Sequence, residues 1–159
     1  MRILCAIGQR DGPQIIQRLL NMLGNQHEIY LLHVLDTGPR QGLEEYLHGP
    51  MSVQRRRPLP PDQTQALDAA EQSASQSALD EAVQAAQTAG FSVTGEIQRG
   101  KPEQMIVQTA QTWKSQLIVI KTSEGTQGRP QIGPASVGHT ARFVLDHAPC
   151  DVLLLRGSL

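Results

Sequence analysis

The stretch QLIVIKTSEGTQGRPQIGPASVGHTARFVLDHAPCDVLLL, residues 116–155, contains two short apolar runs on either side of a glycine-rich segment and a helical pattern. The runs at 116–120 and 151–155 have the length of buried strands, and ARFVLDHA at 141–148 reads as a short helix that Pro149 ends. A strand, a helix and a second strand in this order indicate two parallel strands joined by a crossover. The stretch therefore predicts an α/β protein with a parallel sheet.

Toward the N-terminus the same alternation continues. RILCAIG at 2–8 and EIYLLHV at 28–34 are nearly continuous apolar runs, as expected of strands that helices cover on both faces. FSVTGEIQ at 91–98 alternates with a period of two, which predicts a strand nearer the sheet edge. With the helices between them, the runs give the order β-α-β-α-β-α-β-α-β. We expect one domain, 1–159, without an internal repeat.

Three helices are predicted ahead of the short C-terminal one. The first begins near Pro13, which suits a first helical turn, and stops at Gly24. The second covers about 63–89, is rich in alanine and glutamine, and has a narrow apolar stripe. The third begins at Pro102. The stripe of the second helix consists of Leu67, Ala70, Ala74, Ala78, Leu79, Ala82, Val83 and Ala86.

A long segment, about 35–62, separates the second strand from the second helix. It holds most of the prolines and has no clear hydrophobic period, so it predicts a long loop or lid. Its basic run at 55–57 lies between prolines and polar residues. That setting is more typical of a solvated loop than of a nucleic-acid patch.

Composition narrows the classes of function. A net charge of −1 over 159 residues gives no basic face of the kind that nucleic-acid binders carry. Cys5 and Cys150 are far apart and each lies beside an apolar run, which predicts buried thiols in a reducing compartment. The first apolar run is too short for a secretion signal, and no segment approaches the roughly 18 apolar residues of a membrane span. We expect a cytoplasmic protein.

Several familiar sites are absent from the loops that follow the strands, where doubly wound sheets bind ligands. GQRDGP at 8–13 has neither dinucleotide-binding spacing nor a phosphate-loop lysine, and QRGK at 98–101 has no phosphate-accepting aspartate. No serine lies in a G-x-S-x-G turn. The five histidines are scattered, and His33, inside an apolar strand, is predicted to be a hydrogen-bonded core residue.

The glycine-rich segment remains as a candidate site. Gly125, Gly128 and Gly138 are spaced by two and then nine residues, and Gly138 lies where the fourth helix should begin. Glycines let a backbone approach phosphate closely, and a helix N-terminus attracts an anion. Residue chemistry alone leaves two interpretations open, a phosphate cradle and an ordinary glycine-rich loop.

Three segments of the chain resemble the universal stress protein family. ILCAIG at 3–8, with IYLLHVLD at 29–36, is similar to the first two strands of that family. RGKPEQMIVQTAQTWKSQLIVI at 99–120 is similar to its Gly-x-Pro helix and the strand that follows. GHTARFVLDHAPCDVLLLR at 138–156 is similar to its last helix and strand, including His-Ala-Pro-Cys.

The resemblance implies a three-layer α/β/α fold. The sheet would be open, five-stranded, parallel and doubly wound in the order 3-2-1-4-5, with a homodimer formed through the last strand. Members that bind ATP carry Gly-x2-Gly-x9-Gly-(Ser/Thr), in which the glycines and the hydroxyl hold the phosphates. An ATP- or AMP-like nucleotide, with Mg²⁺ accompanying ATP, is therefore the implied ligand.

On this chain the resemblance implies a set of nucleotide-binding positions from the strand ends and the glycine-rich segment. The set is Gly8, Val34, Gly125, Gly128, Arg129, Gly138, His139 and Thr140. Gly8 stands where the family has an aspartate that contacts the nucleoside, and Asp11 follows three residues later. His139 stands at the Ser/Thr position, with Thr140 next to it, and the tetrapeptide 121–124 intervenes before the first glycine.

Three functions follow from these features. The first is a regulatory protein that binds an adenine nucleotide on the glycine loop. The second is a dimeric stress-response interaction module that has lost the nucleotide, with 35–62 and the Ala-rich helix as partner surfaces. The third is slow ATP hydrolysis assisted by His139, which ranks lowest because no carboxylate base or metal-ligand set is evident near the loop. The leading expectation is a non-enzymatic protein with no catalytic or metal-ligating residues.

Overall fold

The computed structural model describes residues 1–37, 61–122 and 137–156, without the side chains of 61–64. Within these ranges the strands are β1 (Arg2–Ile7), β2 (Glu28–Asp36), β3 (Ser92–Gly100), β4 (Leu117–Lys121) and β5 (Asp151–Leu155). The helices are α1 (Gly12–Leu23), α2 (Pro61–Thr88), α3 (Pro102–Trp113) and α4 (His139–His147). Most of the loop predicted at 35–62 lies outside the described residues, as do Gly125, Gly128 and Arg129.

The five strands form one parallel sheet in the order β3-β2-β1-β4-β5, which confirms the predicted fold class. In the central strand, Ile3 pairs with Ile29 on one side and with Leu117 on the other. The direction of winding reverses between β1 and β4. Loops that leave the two strands at such a reversal diverge, and a crevice opens at the carboxyl ends of the strands.

Helices cover both faces of the sheet. Ile3, Cys5 and Ile7 of β1 face a core that α1 and α2 complete, whereas Leu4 faces a second core with α3 and α4. This alternation follows from the period of two along a strand. After Arg2 the strand is continuously apolar, because the side chains from Ile3 to Ile7 alternate between the two cores.

The apolar stripe predicted for α2 is correct only in its C-terminal half. The buried members of the stripe are Ala78, Leu79, Ala82 and Ala86. Leu67 is 55% exposed, and Ala70 and Ala74 are also exposed. Among the helix residues whose side chains are described, 65–88, the first buried one is Ser75. The apolar stripe in the sequence therefore begins before the surface against which the helix packs.

Two glycines define that packing surface. A Cβ on Gly12 of α1 would lie 2.6 Å from the Ala82 Cβ, and a Cβ on Gly95 of β3 would lie 2.9 Å from Val83 Cγ2. Nonbonded carbon atoms do not approach each other this closely. The helix α2 therefore contacts α1 and β3 at positions that have no side chain. The alanine-rich composition of the C-terminal half is explained by this close contact.

His33 is a satisfied core residue, as predicted. Its side chain is 4% exposed, with Nδ1 3.1 Å from the Ile7 carbonyl oxygen and Nε2 3.0 Å from the Ser75 hydroxyl. A carbonyl oxygen only accepts hydrogen bonds, so Nδ1 carries a proton. The imidazole thereby connects β1, β2 and α2 directly beneath the carboxyl ends of the strands.

Some predicted boundaries need correction. Leu35 is buried and Asp36 pairs with Gly100, so β2 continues two residues into the segment predicted as a loop. At its other end, α2 begins at Pro61 rather than at about residue 63. Of the two thiols predicted to be buried, Cys5 is buried, whereas Cys150 is partly exposed.

Candidate functional site

A cavity of about 680 Å³ lies at the carboxyl ends of the strands. Its walls come from the β1–α1 loop, the ends of β2 and β4, and the first turns of α3 and α4. The cavity therefore occupies the crevice that the reversal between β1 and β4 creates. Its volume is within the range of small-molecule binding sites.

The carboxylate of Asp11 lies in this cavity beside Gly8. Asp11 Oδ1 accepts a hydrogen bond of 2.7 Å from the Gly8 amide. A Cβ placed on Gly8 would lie 3.3 Å from Asp11 Oδ2. The acid from the helix start thus fills the space where a side chain at position 8 would begin. Both residues line the cavity.

The N-terminus of α4 contributes the opposite wall. Gly138 is its N-cap residue, with φ of 80°, a left-handed conformation that favours glycine. The Gly138 carbonyl accepts the first helical hydrogen bond, from Arg142 N at 3.1 Å. Thr140 and Ala141 line the cavity, and amides in the first turn of a helix have no partner within it. This wall presents one hydroxyl and a helix N-terminus.

His139 does not enter the cavity. Its side chain is 82% exposed and its Nε2 lies 3.8 Å from Glu103 Oε1 at the start of α3. Of the two residues that the sequence offered for the hydroxyl position, Thr140 is the one that lines the cavity. The imidazole therefore leaves the cavity open.

Charged side chains of both signs surround the cavity. Among the described lining residues, Arg10 and Lys121 are basic, whereas Asp11, Asp36 and Glu71 are acidic. Lys121 ends β4, next to the buried Thr122, and both line the cavity. Such a mixed lining fits a ligand that has an apolar part with some hydrogen-bonding groups and a separate anionic part.

The structure brings some of the predicted site residues to the cavity. Gly8, Val34 and Thr140 line the cavity, and Gly138 caps the helix beside it. Lining residues outside the predicted set include Gln9, Arg10, Asp11, Gln14, Asp36, Glu71, Ile106, Lys121 and Thr122. The lining residues in the loops after the strands can be predicted from their position in the fold. Glu71 cannot, because it lies within a long helix and carries no sequence signal.

Metal-binding clusters and membrane-spanning helices are both absent from the described ranges. No group of three or more His, Cys, Asp or Glu side chains there could hold a metal ion. No helix within the same ranges is long and apolar enough to cross a membrane.

The model of the universal stress protein family matches residues 1–156 of the chain. The chain belongs to the universal stress protein family. Among curated relatives, Universal stress protein E of Escherichia coli is 35% identical over 60 residues, which are 38% of this chain and 18% of that protein. The matched part therefore spans less than a fifth of the length of this relative.

Solved structures of the universal stress protein family share the fold. The protein UspA from Lactobacillus plantarum aligns with a TM-score of 0.67 and 24% identity over 98% of this chain and 97% of its own. An Arabidopsis thaliana family protein with AMP bound has a TM-score of 0.63 and 16% identity over 99% and 92%. A family protein in complex with cAMP has a TM-score of 0.61 and 14% identity over 99% and 98%.

Proposed function

We propose that this chain is a regulatory protein that binds an adenine nucleotide in the cavity between β1 and β4. The observation that carries the proposal is the open cavity at the strand ends, with a carboxylate on one wall and a helix N-terminus on the other. Two structural relatives with AMP or cAMP support adenine as the base. The chain acts through binding rather than catalysis.

The nucleoside would lie beside the β1–α1 loop and Val34. Asp11 Oδ2 is directed to the space above Gly8, where a carboxylate can accept a hydrogen bond from a ribose hydroxyl. Asp11 thereby takes the part that the family assigns to an acid at position 8. Val34 and Leu32 from β2 supply apolar contact area for a base.

The phosphate group would lie against the first turn of α4. The amides of this turn and the positive end of the helix dipole favour an anion, and the Thr140 hydroxyl adds a donor. Lys121 and Arg10 lie on the same cavity. The predicted roles of Gly125, Gly128 and Arg129 belong to this end of the proposed site.

A positional exchange tests the role of Asp11. We expect ATP, ADP, AMP or cAMP, with or without Mg²⁺, to raise the melting temperature of the wild-type protein, because binding to the native state stabilises it. Asp11→Gly should reduce this shift. The double variant Asp11→Gly, Gly8→Asp should restore it, since the carboxylate then comes from the neighbouring position. A double variant no better than Asp11→Gly contradicts the role of Asp11.

A second candidate function is a dimeric interaction module, with or without a nucleotide. β5 forms one edge of the sheet, and its side chains Val152, Leu153 and Leu154 are only partly buried. An edge strand offers unpaired backbone groups to another chain. We therefore propose a homodimer through β5 for either function. We also propose that residues 1–159 form a single domain and that the protein is cytoplasmic.

A further inference from the structure

A second cavity lies between the edge strand β3 and α3, on the face of the sheet opposite α2. Its volume is about 420 Å³, and none of its lining residues lines the cavity at the strand ends. Val93 and Ile97 of β3 pack toward α2, so the alternate residues Glu96 and Gln98 face this side. We call this cavity the α3 groove.

The α3 groove contains two aromatic rings in contact. Tyr30 of β2 and Trp113 of α3 have ring centroids 5.3 Å apart with planes tilted by 54°. The Arg2 guanidinium already lies 5.9 Å from the centroid of the Trp113 ring. The face of an aromatic ring attracts cations, and that of tryptophan does so most strongly. The chain itself thus shows that a guanidinium is accepted at this ring.

A single carboxylate gives the α3 groove its charge. The Tyr30 hydroxyl donates a hydrogen bond to Glu96 Oε2, and Glu96 is the one ionisable acid or base other than Tyr30 among the described lining residues. Burial, and then the hydrogen bond and charge of Glu96, raise the pKa of Tyr30 to about 12. The phenol therefore stays protonated at neutral pH and remains a hydrogen-bond donor to Glu96.

Two hydroxyl groups of the α3 groove already donate their protons within the protein. Thr109 Oγ1 donates to Gln98 Oε1 at 3.2 Å, and Thr112 Oγ1 donates to the Gln108 carbonyl at 2.9 Å. With their protons committed, these hydroxyl oxygens offer lone pairs to a ligand. Met105 adds an apolar contact at the end of α3 nearer the sheet edge. Acceptors beside aromatic rings match a flat cation with several N–H donors.

We propose that the α3 groove binds a guanidinium group, with the plane of the cation near Trp113 and its N–H groups on Glu96 and Gln98. A guanidinium is preferred to an ammonium because it is planar, stacks on aromatic rings and donates in two directions at once. The group is carried by a free small molecule of the size of agmatine. This site is independent of the nucleotide cavity.

Fluorescence of Trp113, the only tryptophan in the chain, reports directly on the α3 groove. We expect agmatine to produce a saturable change, and putrescine, which has an ammonium in place of the guanidinium, to need about tenfold higher concentration. Glu96→Gln should weaken the binding of agmatine by about tenfold or more, because the hydrogen bond from the guanidinium to a charged carboxylate is lost. Glu81→Gln, an exposed acid on α2, is the matched control and should bind as the wild type does.

Calorimetry with Trp113→Phe should show weaker binding of agmatine with an unchanged circular dichroism spectrum. A blocked Gly-Arg-Gly peptide distinguishes the two sources of a guanidinium: binding of agmatine alone supports the free molecule, and equal or tighter binding of the peptide overturns it in favour of a protein side chain. No saturable change with agmatine, or identical titrations for the wild type and Glu96→Gln, overturns the site itself.

Discussion

His33 shows how one polar side chain positions three elements. Its ring contacts the Ile7 carbonyl at the end of β1 and the Ser75 hydroxyl of α2, and it also lines the cavity at the strand ends. Its burial within an apolar strand could be predicted from EIYLLHV. Ser75 could not be predicted as its partner, because a serine among many on a polar helix gives no signal until the helix is placed.

Removal of the Ser75 hydroxyl should destabilise the protein. Ser75→Ala leaves the buried Nε2 of His33 without its partner, and we expect a loss of about 1–3 kcal/mol in the free energy of unfolding. Ser77→Ala, at an exposed position of the same helix, should change it by no more than about 0.5 kcal/mol. Urea unfolding of the two variants tests this, and equal midpoints would contradict the role of the pair.

Tyr30 should ionise late in an alkaline titration. Its pKa is raised to about 12 from an ordinary value near 10, so the neutral phenol is favoured in the folded state. The stability that this shift contributes is present below about pH 10 and is lost as the pH rises toward 12. An absorbance titration of tyrosinate should show a late component that Tyr30→Phe removes. A Tyr30→Phe curve that keeps this component would contradict the assignment.

At the scale of elements, α2 marks the boundary between what sequence patterns predict and what they leave open. The period of the helix was evident, and so were its alanines, but the pattern predicted burial along its whole length. Close approach to Gly12 and Gly95 involves Leu79, Ala82 and Val83, and burial ends four residues before Leu79, at Ser75. Contact of this kind depends on two residues distant in sequence, and the helix alone does not encode it.

A double-mutant cycle tests the contact between α1 and α2. Gly12→Ala places a Cβ 2.6 Å from the Ala82 Cβ and should cost about 1–3 kcal/mol. Ala82→Gly alone should cost about 1 kcal/mol through lower helix propensity. The double variant should be more stable than the sum of the two losses implies, since the added methyl then has room. Strict additivity in unfolding free energies would contradict this packing.

At the scale of the whole molecule, the alternation of strands and helices predicted a parallel α/β fold, and the resemblance to the universal stress protein family implied the sheet order that the structure shows. The proposed site lies at the strand ends, where a doubly wound sheet opens. The exact lining did not follow. His139 was expected at the phosphate position and points away, whereas Asp11 reaches the cavity from three residues beyond Gly8. Both differences arise at the start of a helix, where a shift of one residue along the chain changes the direction in which the side chain points.

The proposed association through β5 is tested at the scale of the whole molecule. We expect light scattering to give the mass of a dimer at micromolar concentration, and Leu153→Lys to shift the protein toward the monomer, because a charge on the apolar edge strand opposes pairing. Leu145→Lys, at a site on α4 that is 44% exposed, is the control and should remain dimeric. A monomeric wild type over a wide range of concentration would contradict the dimer.

The most direct test of the central claim is a calorimetric titration with AMP of the wild type, Thr140→Val and His139→Ala. The cavity lining predicts saturable binding by the wild type, a loss of about tenfold for Thr140→Val through one hydrogen bond to a charged phosphate, and wild-type affinity for His139→Ala. No heat of binding at millimolar AMP, or a loss for His139→Ala without one for Thr140→Val, would contradict the nucleotide site.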